Sequence, residues 1–368
     1  MTATPTADYP AVQRQPIVGP PAVSEQLVVQ TSFLGDTVLT TPLIAELAMR
    51  GPVDVLTTPA AAPLLANNPH IRSLHVYDKR GADAGAPGLH RVAQRLGAGV
   101  RARDAVHRVA YLAQSSLRSA ALAALAGYEE RVGFHDAAGR LFYTVRVVRR
   151  ADRHHAERLW RLAFASNPDV EPPDGALRPR LYPAAAERAA VDAVLGAGAH
   201  EPFIALAPGS VWATKRWPYY SMLAARLAPR YRLVIVGGAD DAELARATVD
   251  AAPPGRVVDA TGTLSLLASA ELIGRATLLV TNDSSPQHLA SAMNTPTITI
   301  FGPTVPAFGF GPLAPHSREA ELTKLECRPC HHHGPPVCPL SHWRCMKDLN
   351  VEYIEALVDQ VLLEVPRH

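Results

Sequence analysis

Hydrophobic and polar positions along the chain fall into blocks that predict strands alternating with helices. Residues 26–30 and 53–57 are short apolar runs of the kind that form buried strands, and residues 37–49 carry apolar side chains at helical spacing. Pro42 inside that helical pattern predicts a kink or a late helix start. Continued to residue 111, this alternation predicts an α/β fold with a doubly wound parallel sheet.

The same pattern starts again in the second half of the chain, after a proline-rich linker at residues 167–183. We therefore predict two Rossmann-like domains, residues 24–183 (with the linker) and residues 184–350, facing a cleft. In each domain the polar turns follow the carboxyl ends of strands, where doubly wound folds bind ligands. Residues 1–23 are rich in Pro, Ala and Thr, which predicts a disordered tail. Residues 351–368 predict a final helix.

The segment at residues 281–304 combines a strand end, a turn, a helix and a second strand in one unit. A polar turn at 282–285 precedes a helix predicted from Pro286 to about Met293, and the β-branched run 297–301 predicts the next strand. Such a turn points backbone N–H groups and small hydroxyls at one position, which suits a phosphate. Similar turns occur in α/β proteins that bind nothing there, so the pattern alone leaves both possibilities open.

Composition and charge restrict the possible functions. The 368 residues are 48% hydrophobic and 19% charged, which is typical of a globular protein, and a net charge of +2 gives no global reason to expect a nucleic-acid partner. No apolar run approaches the roughly 20 residues that span a bilayer. The N-terminal residues lack the pattern of a secretion signal, so a cytoplasmic protein is the expectation. No GxGxxG motif follows a predicted strand, which argues against a dinucleotide-dependent oxidoreductase.

All four cysteines lie in one short segment, at Cys327, Cys330, Cys338 and Cys345, with four histidines among them. Four thiolates at this spacing could hold a structural zinc or iron ion tetrahedrally. A compact loop of free thiols is the alternative. The distribution gives no indication of a disulfide scaffold.

Residues 140–161 form a basic segment that contains seven arginines. A solvated helix face with a linker would explain it. A surface for a phosphorylated acceptor or for an anionic membrane would explain it as well. The charge pattern by itself does not distinguish these interpretations.

Several separated blocks carry a resemblance to a known family. They are SFLGDTVLTTPLI at residues 32–44, NNPHIRSLHVYD at 67–78, APGSVWATKRWP at 207–218, the segment at 281–304, and the cysteine block CRPC…CP…HWRCM. Together they resemble glycosyltransferase family 9, the ADP-heptose:lipopolysaccharide heptosyltransferases, in family order over residues 26–349. The KRWP turn and the cysteine block are most similar to the heptosyltransferase II branch.

The resemblance implies a GT-B fold, in which the second domain binds most of the donor, the first domain binds the acceptor, and the helix at residues 351–368 packs back on the first domain. It also implies an inverting enzyme that transfers heptose from ADP-heptose to the inner core of lipopolysaccharide. Such an acceptor implies action at the cytoplasmic face of the membrane, with a peripheral association. No catalytic metal or other cofactor is implied, and the oligomeric state stays open.

The resemblance assigns the catalytic base to Asp36, which would take the proton of the acceptor hydroxyl as that oxygen attacks the anomeric carbon. The same position also suits an N-cap aspartate. Gly35 would let the backbone approach the ligand closely, and Ser32 is a further candidate contact in the cleft.

Lys215 is the candidate for stabilising the negative charge on the departing diphosphate, with an exposed structural lysine as the alternative. The other candidate donor contacts are Ser210, Thr214, Asp241, Asp283, Ser284, Ser285 and His288. Of these, Asp241 is expected at a ribose hydroxyl, and His288 could equally be a structural helix residue. The family usually has glycine where this chain has Ser285, so a hydroxyl would replace a close backbone approach.

Two other functions fit the same residues. A related transferase with a protein or another glycan as its acceptor would keep the fold and the donor, because the motifs say least about acceptor contacts. A non-catalytic nucleotide-sugar-binding module would bind the donor without turnover. Such a module would have no need for both Asp36 and Lys215.

Overall fold

The computed structural model describes residues 24–101 and 107–365, so the predicted tail at 1–23 and the last three residues lie outside the described part. Within it, the predicted α/β architecture is confirmed as two parallel six-stranded sheets flanked by helices. None of the helices in these two ranges is long and apolar enough to cross a membrane.

The first sheet is built from β1 (Ser24–Val29), β2 (Val53–Thr57), β3 (Ser73–Val76), β4 (His107–Leu112), β5 (Glu130–Phe134) and β6 (Val145–Val147). The helices around it are α1 (Leu34–Leu39), α2 (Thr41–Ala48), α3 (Ala62–Leu65), α4 (Gly85–Arg101), α5 (Leu117–Leu125) and α6 (His155–Trp160). The strand order is β3-β2-β1-β4-β5-β6, which places β1 and β4 at the centre.

The second sheet is built from β7 (Phe203–Ala207), β8 (Arg232–Ile235), β9 (Val257–Asp259), β10 (Leu278–Asn282), β11 (Thr297–Phe301) and β12 (Arg318–Glu321). Its helices are α7 (Ala185–Leu195), α8 (Tyr220–Leu227), α9 (Ala242–Asp250), α10 (Leu266–Arg275), α11 (Ser285–Met293), α12 (Arg344–Lys347) and α13 (Val351–Glu364). The order is β12-β11-β10-β7-β8-β9.

The helix predicted at residues 37–49 is divided into α1 and α2 at Thr40. Pro42 lies in the first turn of α2, where its missing N–H removes no helical hydrogen bond. At the break, Thr40 Oγ1 donates to the carbonyl oxygen of Asp36 at 2.7 Å. Because α1 already begins at Leu34, Asp36 lies inside its first turn.

β10, α11 and β11 form the strand–turn–helix–strand unit predicted at residues 281–304. β10 and β11 pair in parallel, and every residue of both strands is buried, as expected where helices cover both faces of a sheet. α11 ends at Asn294, whose φ of 66° lies in the left-handed region that commonly terminates helices.

The two domains meet through helices near the carboxyl ends of their strands. α1 packs on α11, and the side chains of Val38 and Leu64 join the apolar core of the second domain. In the linker, Arg178 Nη1 donates to Asn294 Oδ1 at 2.9 Å. The turns that follow β1, β7 and β10 therefore surround one cleft.

The prediction that the final helix packs back on the first domain is wrong. α13 packs on α8, β10 and β12 of the second domain, with Ile354, Val358 and Val361 fully buried. Across the same interface Arg226 Nε of α8 lies 2.6 Å from Glu355 Oε2 of α13. Both helices carry an apolar stripe, and packing them together buries each stripe without a crossover to the other domain.

Candidate active site

A cleft of about 400 Å³ lies between the two domains. The predicted site residues that line it are Ser32, Gly35, Asp36, Ser210, Lys215, Asp283, Ser284, Ser285 and His288. The motifs did not single out several other lining residues, among them Gln114, Arg149, His155, Thr304 and Phe310. The cleft thus joins side chains from both sheets at the edge where doubly wound folds bind ligands.

Asp36 lies on the first-domain side of the cleft. The N-cap of α1 is Phe33, so the interpretation of Asp36 as an N-cap is wrong. Instead its carboxylate accepts a hydrogen bond from Ser32 Oγ, which lies 2.8 Å from Oδ2. Burial raises the pKa of Asp36 above its ordinary value of 3.8, although Ser32 and His288 act in the opposite direction. A carboxylate with a raised pKa is a stronger base near neutral pH.

His155, at the start of α6, is a neighbour of Asp36 that sequence reasoning missed. Its Nε2 lies 3.6 Å from Asp36 Oδ1, and its ring packs on Phe310 with the two ring centroids 4.7 Å apart. Burial lowers the pKa of His155 to about 3, so the ring is neutral at physiological pH. The only signal in the sequence was the pair of histidines inside the basic segment, which charge counting does not distinguish from a surface feature.

Lys215 is buried, so the interpretation as an exposed structural lysine is wrong. Its Nζ lies 2.6 Å from Asp283 Oδ2 and 3.2 Å from the Asp283 carbonyl oxygen. The same carboxylate accepts from Thr304 Oγ1 at 2.6 Å and from Gln287 Nε2 at 2.9 Å. Three donors therefore fix Asp283, and this carboxylate in turn fixes the ammonium group of Lys215.

The first turn of α11 faces the same space. Ser284 is the N-cap residue but makes no side-chain cap; its hydroxyl lies 3.5 Å from the Gly209 carbonyl oxygen. Ser284 and Ser285 both line the cleft. The N-terminus of this nine-residue helix carries partial positive charge, which favours an anion.

Gly35 and His288 bring the two domains into contact at the cleft. A methyl group at Gly35 would lie 2.5 Å from His288 Cδ2, a distance that real side chains do not reach. His288 is buried, burial lowers its pKa to about 4, and its Nδ1 has no hydrogen-bond partner among the described residues. The absence of a side chain at Gly35 is therefore what allows α1 to pack this closely on α11.

Two of the predicted donor contacts do not line the cleft. Thr214 is buried, and its hydroxyl donates to the Pro335 carbonyl oxygen in the cysteine-bearing segment. Asp241 Oδ2 accepts from the Gly238 backbone N–H at 3.0 Å, as in a capping box. Ser210 does line the cleft, and its hydroxyl oxygen lies 3.4 Å from the Trp212 backbone nitrogen.

The cysteine segment does not fit the predicted metal site. Within residues 24–101 and 107–365, no three side chains of His, Cys, Asp or Glu lie close enough together to hold a metal ion. Cys345 is buried in the apolar core of the second domain, whereas Cys330 is exposed. His332 and His333 of this segment line the cleft instead.

Comparisons with known proteins show the family of the chain and support its fold. Residues 94–340 match the family model described as glycosyltransferase family 9 (heptosyltransferase). The chain is 26% identical over 317 residues to lipopolysaccharide heptosyltransferase 2 of Escherichia coli K12, covering 81% of this chain and 87% of the relative. It is 28% identical over 321 residues to lipooligosaccharide heptosyltransferase 2 of Haemophilus influenzae Rd, covering 81% and 88%. In fold it is similar to the solved E. coli ADP-heptose lps heptosyltransferase II, with a TM-score of 0.73, 22% identity, and 92% and 99% of the two chains covered.

Proposed function

The chain belongs to glycosyltransferase family 9, the heptosyltransferases, and on that premise we propose that this glycosyltransferase moves heptose from ADP-heptose to the inner core of lipopolysaccharide. The observation that carries the proposal is one cleft lined by a carboxylate of raised pKa, Asp36, and by a buried ammonium group, Lys215. We further propose that it acts in the cytoplasm, at the inner face of the membrane.

In the proposed reaction, Asp36 accepts the proton of the acceptor hydroxyl. The acceptor oxygen forms a bond to the anomeric carbon of heptose from the face opposite the diphosphate, and the bond from that carbon to the phosphate oxygen breaks. ADP leaves, and the configuration of the anomeric carbon is inverted. Ser32 holds one carboxylate oxygen of Asp36, which fixes the orientation of the base.

The charge that develops on the departing diphosphate needs a fixed positive partner. Lys215 can supply it without reorganising, because Asp283 already holds its ammonium group. The N-terminus of α11 adds backbone N–H groups and the hydroxyls of Ser284 and Ser285. Asp283 is an anion itself, so we assign it to positioning Lys215 and not to a direct phosphate contact.

The experiment that tests the proposed function is turnover with ADP-heptose and a panel of truncated lipopolysaccharide acceptors. We expect release of ADP only when an acceptor is present, and transfer to an acceptor that already carries one heptose would identify the second-heptose activity. ADP release with a protein or another glycan, and not with lipopolysaccharide, would favour the related transferase. Donor binding without turnover on any acceptor would indicate a binding module and overturn the proposal.

Replacing His155 with phenylalanine is expected to move the acidic limb of the kcat/KM profile to higher pH. The reaction needs the deprotonated carboxylate, so activity falls as the pH drops through the pKa of Asp36. Phenylalanine keeps the packing on Phe310 but removes the polar imidazole nitrogen that lies 3.6 Å from the carboxylate, so we expect the charged form of Asp36 to be less favoured.

The matched variant His155→Gln keeps an N–H donor. The acidic limb of its kcat/KM profile should therefore stay near that of the wild type. The other groups that face Asp36, namely Ser32, His288 and His333, are unchanged in both variants. If the acidic limb of the kcat/KM profile is unchanged in His155→Phe, His155 does not position the base.

A further inference from the structure

We propose that one face of the first domain docks on an anionic phospholipid bilayer. This docking face consists of the outer surface of α5 (Leu117, Ala121, Leu125) and the adjacent 3-10 turn with Leu141 and Phe142. The inference builds on the proposed function, because an enzyme that acts on lipopolysaccharide must reach an acceptor held in a membrane.

The first observation is an apolar stripe that points to solvent. Residues 117, 121 and 125 follow each other at intervals of four, so they lie on one side of α5. Leu117 is 52% exposed and Leu125 is 59% exposed, while Leu122 on the opposite side is buried in the core. α5 is thus apolar on both sides, although a surface helix of a globular protein normally has one polar side.

The adjacent 3-10 turn extends this stripe. Leu141 is 80% exposed, the second most exposed leucine among the described residues after Leu363. Phe142 joins Leu117 and Ala121 in lining a shallow groove of about 590 Å³. A contiguous group of exposed large apolar residues usually marks a surface that binds another molecule.

The second observation is a set of cations around the stripe. They are Lys79, Arg118, Arg131, Arg140 and Arg146, and none of them forms an ion pair with another residue of the described ranges. Four of them donate to backbone carbonyl oxygens: Lys79 to Thr31, Arg118 to Lys79, Arg131 to Phe142 and Arg146 to Arg140. The hydrogen-bond partners of these four side chains named here are thus uncharged carbonyl oxygens.

The two observations together favour a membrane over a protein partner. Side chains that insert shallowly beside unpaired Lys and Arg match the chemistry of a bilayer, whose acyl boundary lies below a layer of negative headgroups. Each basic side chain near such a surface strengthens binding roughly five-fold.

The position of the docking face in the fold supports the same inference. Gln114 and Ser115 line the catalytic cleft, and the next residues, Ser116 and Leu117, line the groove beside α5. A bilayer against α5 would therefore lie next to the first-domain side of the cleft, where the proposed base Asp36 is located.

The test is co-sedimentation of the full chain with vesicles of phosphatidylcholine alone and of phosphatidylcholine mixed with phosphatidylglycerol. We expect binding to the anionic vesicles that weakens as salt is raised, because salt screens the headgroup charge. The variant Leu117→Ser/Leu141→Ser/Arg140→Gln/Arg146→Gln should bind them at least ten-fold more weakly. The control Leu363→Ser/Arg246→Gln removes exposed leucine and arginine side chains from the second domain and should bind like the wild type.

Three results would overturn the inference: no binding of the wild type to anionic vesicles, equal binding to neutral ones, or unchanged binding of the quadruple variant. Vesicle binding is read without turnover, so it does not depend on the proposed function. The quadruple variant should also keep wild-type turnover on an acceptor fragment that lacks its lipid. Failure of the proposed function would instead appear as a wild-type protein that binds vesicles but releases no ADP.

Discussion

An Asp36→Asn enzyme is expected to lose at least 100-fold in kcat while it still binds ADP-heptose. The amide has nearly the size of the carboxylate and can keep the hydrogen bond from Ser32, but it cannot take a proton from the acceptor. A positioned general base contributes typically ~10²–10⁴-fold, which sets the size of the effect. The measurement is steady-state ADP release, with donor affinity determined separately by calorimetry.

A matched control keeps this prediction specific. Asp240→Asn makes the same chemical change at an exposed aspartate that lies outside the cleft, and it should leave kcat unchanged. Thermal unfolding of both variants should follow the wild type. If the Asp36→Asn protein is folded and turns over at the wild-type rate, Asp36 is not the base and the proposed mechanism fails.

A Lys215→Met enzyme is expected to lose both activity and stability. Removing a fixed donor for the developing charge costs about 10²–10³ in kcat. In addition, the carboxylate of Asp283 is left buried without its cation, and breaking a buried pair in this way costs about 3–5 kcal/mol of the free energy of unfolding. Chemical denaturation and ADP release measure the two effects separately.

A second substitution separates the two roles of the pair. In the double variant Lys215→Met/Asp283→Asn, no uncompensated charge remains, so most of the stability should return. Activity should not return, because the leaving diphosphate still lacks its cation. Recovery of kcat together with stability would mean that Lys215 acts only by holding the fold.

Much of the fold follows from local pattern. Apolar runs and helical spacing predicted the alternation of strands and helices, and Pro42 correctly predicted an interruption near the start of α2. The unit around β10 and α11 could be predicted because a β-branched strand, a proline in the first helical turn and polar turn residues are all short-range signals. The apolar outer side of α5 was not predicted, because packing constrains exposed positions less than buried ones.

The candidate site was predictable only in part. Nine of the eleven site residues that the motifs identified line the cleft, but the motifs did not reveal that Asp283 anchors Lys215, 68 positions away in the chain. They also gave no indication of His155 beside Asp36. The domain against which α13 packs was predicted wrongly. An apolar stripe indicates that a helix is buried, but it does not indicate which surface covers the stripe.

The pattern of the sequence therefore determined the α/β class and the position of the polar turn before α11, and the resemblance to the family supplied the candidate pair of Asp36 and Lys215. Backbone propensity, turn chemistry and the periodicity of apolar residues depend on residues close together in the chain. They can therefore be recognised in the amino-acid sequence. The tertiary structure alone decided which partners each charged group meets, how Gly35 lets α1 approach His288, and which domain holds the final helix. These properties depend on burial and on contacts between distant segments, and they exist only once the two domains are packed together.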